Sequence, residues 1–305
     1  MYESFFGLRE RPFDLTTNPR FLFLTPRHRE ALTLVEYALS ARKGVSLLLG
    51  DAGTGKSTIV RAALQRQPEG SCIAYLTNPT LTRQDFYGFL ASVFGLSAAV
   101  NGSKVRLLMQ LEALLVERAA AGLLSALLID EAQSLPHALL EEVRLLSNME
   151  TPTMKLLPVV LIGQPELAGR LNDDSLRQLK QRVSLRCSLQ PLDLRETAAY
   201  ITTRIRVAGG DSGQVFSREA VMAVYERSRG IPRTISVICD SALISGFAAD
   251  QRPVGKEIVL EVCRDLDFPG GARAASAPAA VAAGESRPTT ELFAHFTTRR
   301  RFTFF

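Results

Sequence analysis

The sequence predicts an α/β fold: a parallel five-stranded sheet followed by a small all-helical domain. Three observations predict it. Short apolar runs alternate with amphipathic helical patterns over the first two thirds of the chain, as in a sheet covered on both faces. A glycine-rich loop, "GDAGTGKST", joins the first apolar run to a helical pattern. Beyond "QPLD" only helical patterns follow, as far as residue 267.

In chain order, residues 1–44 hold an aromatic- and proline-containing segment and then the helical pattern "PRHREALTLVEYALSARKG". "VSLLLG" (45–50) is the first strand, ending in Gly, and a helix follows from Ser57. "SCIAYLT" (71–77), "LLSALLID" (123–130), "LLPVVLIG" (156–163) and "VSLRCSL" (183–189) read as the other four strands. Between them lie "RQDFYGFLASVFG", "KVRLLMQLEALLVERAAAG" and "LPHALLEEVRLLSNME" as helices. Residues 1–192 are therefore expected to form the α/β domain with its N-terminal segment, and 193–268 the helical one. Residues 269–305, rich in Ala, Pro and Gly, cannot bury a core and are expected to be disordered.

The 305 residues suffice for a large domain or two ordinary ones, and 46% hydrophobic with 22% charged residues is a soluble globular profile. A formal charge of +5 is compatible with DNA or an acidic surface and establishes neither. Cys72, Cys187, Cys239 and Cys263 have no metal-ligand spacing and read as reduced, mostly buried thiols; His28, His137 and His295 form no local cluster. The N-terminus lacks a signal-peptide pattern, and the longest apolar runs fall short of the ~20 residues that span a bilayer. The expected location is the cytoplasm.

"GDAGTGKST" fits G-x-x-x-x-G-K-[ST] between a strand and a helix, the setting in which backbone N–H groups curl around phosphates. Gly50, Asp51, Ala52, Gly53, Thr54, Gly55, Lys56, Ser57 and Thr58 are thus the expected nucleotide-binding residues. Lys56 would reach the β- and γ-phosphates, and the Ser57 hydroxyl would ligate Mg²⁺. "LLSALLIDEAQ" puts Asp130 and Glu131 at the carboxyl end of a buried strand, where open α/β sheets bind ligands. Asp130 suits the Mg²⁺-side carboxylate; Glu131 suits the residue that positions and polarises the attacking water.

A P-loop, a strand ending in Asp-Glu and a helical second domain resemble a P-loop NTPase of the AAA+ type. "YESFFGLRERPFDLTTNPRFLFLTPRHREAL" resembles its ExeA/GspA-like branch, the ATPases associated with secretion and pilus assembly, with the TniB/TnsC-type transposition ATPases as cousins. The resemblance covers residues 1–267. It implies ATP and Mg²⁺ as ligands, a homo-oligomer (ring or filament), and remodelling of a partner complex. DNA binding of the transposition type is the alternative. Envelope-associated members continue into a membrane span and a peptidoglycan-binding region, where this chain has its Ala/Pro-rich tail.

The resemblance also implies individual roles. Gln164, ending the fourth strand and expected beside the second in space, takes the sensor-1 position near the γ-phosphate. Asn78 either restrains the catalytic glutamate or makes an Asx turn before Pro79. Arg182, with Arg177 in reserve, is the arginine reaching a neighbouring subunit's nucleotide. Arg233 in "GIPRTI" stands in a helix's first turn, where the dipole disfavours a cation; the resemblance implies that it compensates by reaching its own subunit's ATP as sensor 2. Phe13 in "RPFDLT" covers the adenine or belongs to the core.

Overall fold

The computed structural model describes residues 1–15, 18–97 and 103–268. The apolar runs form five strands: β1 (Val45–Leu49), β2 (Cys72–Leu76), β3 (Ser125–Ile129), β4 (Val159–Gly163) and β5 (Val183–Ser188). All pair in parallel, in the order β2-β3-β4-β1-β5. Every residue of β1, β3 and β4 is buried, whereas the edge strands β2 and β5 are partly exposed.

One expectation is corrected by this order. The fourth strand does not lie beside the second but between β3 and β1. Its run "VVLIG" carries no polar side chain, which suits a central slot where both faces and both edges are covered. The consequence is that β4 ends between the carboxyl ends of β1 and β3.

Among the described residues, five helices of ten residues or more cover the sheet: α1 (Pro26–Ser40), α2 (Lys56–Gln65), α3 (Arg83–Phe94), α4 (Lys104–Ala120) and α5 (His137–Leu146). The two-residue period of a strand divides them. Leu47 and Leu49 of β1 pack with Phe86, Leu90, Leu111 and Leu140 on one face. Leu48 packs with Val35, Leu39, Ile59 and Val60 on the other. Caps fix where these helices begin. Thr25 accepts the His28 N–H before Pro26, and Thr82 and Asp85 form a reciprocal capping box at α3.

Four helices make the second module: α6 (Leu194–Val207), α7 (Arg218–Ser228), α8 (Pro232–Ala248) and α9 (Lys256–Asp265). A second capping box, Asp193 with Glu196, opens α6. Their core contains Ile201, Ile205, Ile235, Ile238, Leu243 and Val259, together with Tyr2, Phe6, Leu8, Phe13 and Phe21 from the start of the chain. The N-terminal segment, grouped with the sheet on sequence, thus buries its aromatic side chains in the helical module. Arg204 of α6 fastens it there: its guanidinium donates to the carbonyls of Pro12 and Asp14 and lies 5.1 Å from the centre of the Phe21 ring. Among the described residues, no helix is long and apolar enough to cross a membrane. The tail at 269–305 lies outside the described residues.

Candidate functional site

Between the last residue of β1 and the start of α2 the chain must turn tightly, and Gly53 does so at φ 81°. Space requires glycine there as well: a Cβ would stand 2.9 Å from Arg233 Cβ. The loop therefore meets the helical module directly, and the Arg233 N–H donates to the Gly53 carbonyl at 3.3 Å. Lys56, the first residue of α2, is buried, with Nζ donating to the carbonyls of Gly50 (2.7 Å) and Asp51 (3.0 Å). Burial lowers the pKa of this amine, while Glu131 and Asp130 nearby act in the opposite sense.

Asp130 follows the end of β3 and is almost fully buried. Its Oδ2 accepts from Ser57 Oγ at 2.8 Å and from the Tyr75 hydroxyl at 2.9 Å, and its Oδ1 accepts the Glu131 N–H at 3.0 Å. Burial and then the Asp130 charge push the Tyr75 hydroxyl well above its usual range, so it stays a donor. A hydroxyl and a carboxylate in contact form a hard oxygen pair of the kind magnesium takes, and Mg²⁺ commonly draws its remaining ligands from phosphate and water. The residues present fit that ion. No group of three or more His, Cys, Asp or Glu side chains among the described residues offers a separate metal cage.

Glu131 adopts the left-handed conformation, φ 50° and ψ 37°. Two amides hold its Oε2: Gln133 Nε2 at 2.5 Å and Gln164 Nε2 at 3.5 Å. Gln164, just after β4, thus lies against Glu131, as its place between β3 and β1 dictates. Asn78 is elsewhere occupied: its Oδ1 accepts the Thr80 N–H at 3.3 Å, the Asx-turn alternative, on an exposed loop.

A cleft of about 620 Å³ lies between these groups and the helical module, within the usual size of a ligand site. The loop lines it from Ala52 onward through Thr58, with Glu131 and Arg233. Its apolar wall is Phe21, Phe23, Leu24 and Tyr200. Phe13 is not part of that wall. It is buried edge-on against Phe216, ring centres 6.2 Å apart.

Arg182 precedes β5 at the amino end of the sheet, where its carbonyl accepts the Val45 N–H at 3.3 Å. Its Nε is buried and has no hydrogen-bond partner among the described residues. Arg177 is exposed in the short helix Arg177–Lys180.

Three residues of the site were not singled out from sequence. Tyr75 carries a hydroxyl within a run otherwise read only as apolar. Gln133 stands two residues past Glu131, and nothing local says where its amide goes. His28 was set aside for want of neighbouring ligands, yet it supports the loop from α1. Its Nε2 lies 3.0 Å from the Thr54 carbonyl, which can only accept, so that nitrogen carries the proton. Nδ1 then accepts from Thr25 Oγ1 at 2.7 Å. The one clue was the capping threonine three residues earlier.

Residues 40–171 match the family described as AAA domain. Over 248 residues the chain is 43% identical to General secretion pathway protein A of Aeromonas hydrophila, covering 81% of this chain and 45% of that protein. Residues 40–171 are an AAA domain of the AAA+ type. The chain spans a little under half the length of the secretion protein it matches. Among solved structures, the chain is similar to Cdc6p of Pyrobaculum aerophilum, with a TM-score of 0.63 at 16% identity over 83% of this chain and 70% of that one. It is also similar to the ORC2 protein of Aeropyrum pernix, solved as ADPNP-ADP complexes, with a TM-score of 0.59 at 16% identity over 85% and 72%. At such identities the likeness speaks for the fold alone.

Proposed function

We propose that this AAA+ protein hydrolyses ATP with Mg²⁺ and, as an oligomer formed on ATP, drives or regulates assembly of a secretion, pilus or export complex. The observation that carries the chemistry is the contact of Asp130 with Ser57, which lines the cleft together with Lys56 and Glu131. The loop N–H groups and Lys56 bind the phosphates. Bound with the nucleotide, the metal offsets the charge that builds on the phosphoryl oxygens. Glu131 orients the attacking water, and Gln164 and Arg233 face the same reacting group from the sheet and from the helical module. Phe21, Phe23 and Tyr200 cover the base.

Arg182 acts in trans. From Val45, its backbone partner, to Gly50 at the start of the loop is five steps, about 16 Å of strand. That is farther than an arginine side chain reaches, so its own loop is out of range and a second copy's nucleotide is the target. The similarity to General secretion pathway protein A supports the partner class.

The test is ATP turnover by the purified protein at rising concentration, with and without duplex DNA, alongside Glu131→Gln. Specific activity that climbs with concentration and disappears in the variant supports the reading. Activity independent of concentration removes the trans arginine. Stimulation by DNA that is lost at high salt puts a transposition-type, DNA-binding ATPase in its place.

A further inference from the structure

The turn after Glu131 contains an amide whose connections reach beyond its own segment. Gln133 lies in the short 3-10 helix Ala132–Ser134. Its Oε1 accepts the backbone N–H of Gln164 at 3.0 Å, and its Nε2 donates to Glu131 Oε2 at 2.5 Å. The backbone N–H can only donate, so the amide oxygen must face Gln164 and the NH₂ must face the carboxylate. The side chain is therefore a directed bridge from the end of β4 to Glu131. Two further contacts fix its base. Arg170 donates to the Gln133 carbonyl and to that of Leu135 at 2.8 Å.

The strand beneath leaves room for this bridge. At Gly163 a Cβ would sit 2.9 Å from Gln133 Oε1 and 3.1 Å from Leu167 Cδ2. Any side chain there would press on the amide.

We propose that Gln133 is a positioning residue for hydrolysis, holding Glu131 by Oε2 so that Oε1 faces the attacking water. This rests on the reading of Glu131 as the water-polarising carboxylate. The chemistry of the holder matters. A lysine or arginine in its place would neutralise the carboxylate and weaken it as a base. A neutral amide fixes the orientation and leaves the charge intact. Among the described residues no hydrogen bond falls on Glu131 Oε1, while Oε2 takes both Gln133 and Gln164. Because Gln133 is anchored to the Gln164 backbone, a shift of β4's end is passed to Glu131 through the Gln133 side chain as well as that of Gln164.

The test uses the full chain with Gln133→Leu, Gln133→Glu, Gly163→Ala and Glu131→Gln. Each is measured for ATP turnover, for affinity toward a fluorescent ATP analogue and for Tm. Gln133→Leu keeps the size and removes both hydrogen bonds. Its kcat is expected to fall by up to about a hundredfold, the cost of misplacing a reacting group by an ångström, with nucleotide affinity unchanged. Gly163→Ala, which reaches the same amide from outside the site, should shift kcat in the same direction by less. Gln133→Glu gives a readout that packing alone would not move. A carboxylate cannot donate as the amide does, and it sets a like charge against Glu131. The kcat of that variant should therefore fall below that of Gln133→Leu, at a similar Tm.

Unchanged or raised kcat in Gln133→Leu overturns the proposal, as does a parallel loss of turnover and nucleotide affinity. Turnover retained by Glu131→Gln removes the reading beneath it, whatever Gln133 does.

Discussion

At the carboxyl ends of β1, β3 and β4 the sheet gathers Lys56, Ser57, Asp130, Glu131 and Gln164. At its amino end, beside Gly44 and Val45, it presents Arg182. The first end is densely hydrogen-bonded, each group restrained by at least one hydrogen bond. At the second, Arg182 has a buried Nε without a partner among the described residues. Polar groups are expected where a site is prepared in advance. On the proposed reading, one chain thus contributes to two sites.

The most damaging test of that contrast is Arg182→Ala. Turnover is expected to fall by about 10³-fold, the lower part of what such an arginine contributes, with ATP affinity almost unchanged. Mixing this variant with Glu131→Gln should restore part of the activity, because mixed assemblies pair an intact cleft with an intact arginine. If the mixture stays inactive, the two ends do not cooperate between chains.

A smaller effect is expected within the crowded end. Tyr75→Phe deletes one of the two hydroxyls on Asp130 Oδ2. A titration of turnover against Mg²⁺ should show a requirement about tenfold higher or more, with kcat at saturating Mg²⁺ close to the parent's, since a hydrogen bond to a charged group contributes about 1.5–3 kcal/mol. Equal Mg²⁺ requirements would show that Tyr75 does not set the carboxylate's place.

The smallest effect concerns His28 beneath the loop. Burial lowers its pKa, with the Thr54 carbonyl acting in the opposite sense. The unfolded chain takes up a proton near the ordinary imidazole value of about 6.5, and the folded chain does so only at lower pH. The stability it contributes is therefore fully present above that value and lost as pH falls below it. Thermal melts between about pH 8 and about pH 5 should drop more steeply for the parent than for His28→Gln. Identical slopes would mean the imidazole is not what titrates.

What could be read in the sequence was whatever a short contiguous segment determines. The loop at 50–58 and the Asp130–Glu131 pair are recognisable because strand, turn and chemistry follow one another directly. The five strands were legible because each is an unbroken apolar run between turn residues. Relations between segments were not. "VVLIG" carries no mark of lying between β3 and β1, so Gln164 could be named without its neighbours being known. The Tyr75 hydroxyl meets Asp130 only after two strands pair in register, Leu76 beside Ile129. Phe13 and Phe21 look alike in sequence, yet one is buried in the helical core and the other also lines the cleft.

The way the chain's start is folded bears on modularity. Tyr2, Phe6 and Phe13 complete the core of the helical module, while residues 21–24 wall the cleft and lead into α1, which packs on the sheet. The piece that could be exchanged between such ATPases is therefore discontinuous: a graft of residues 193–268 alone would arrive with a hole where three aromatic rings belong. A working chimera would have to carry the first twenty-odd residues with it, two distant stretches of sequence inherited as one.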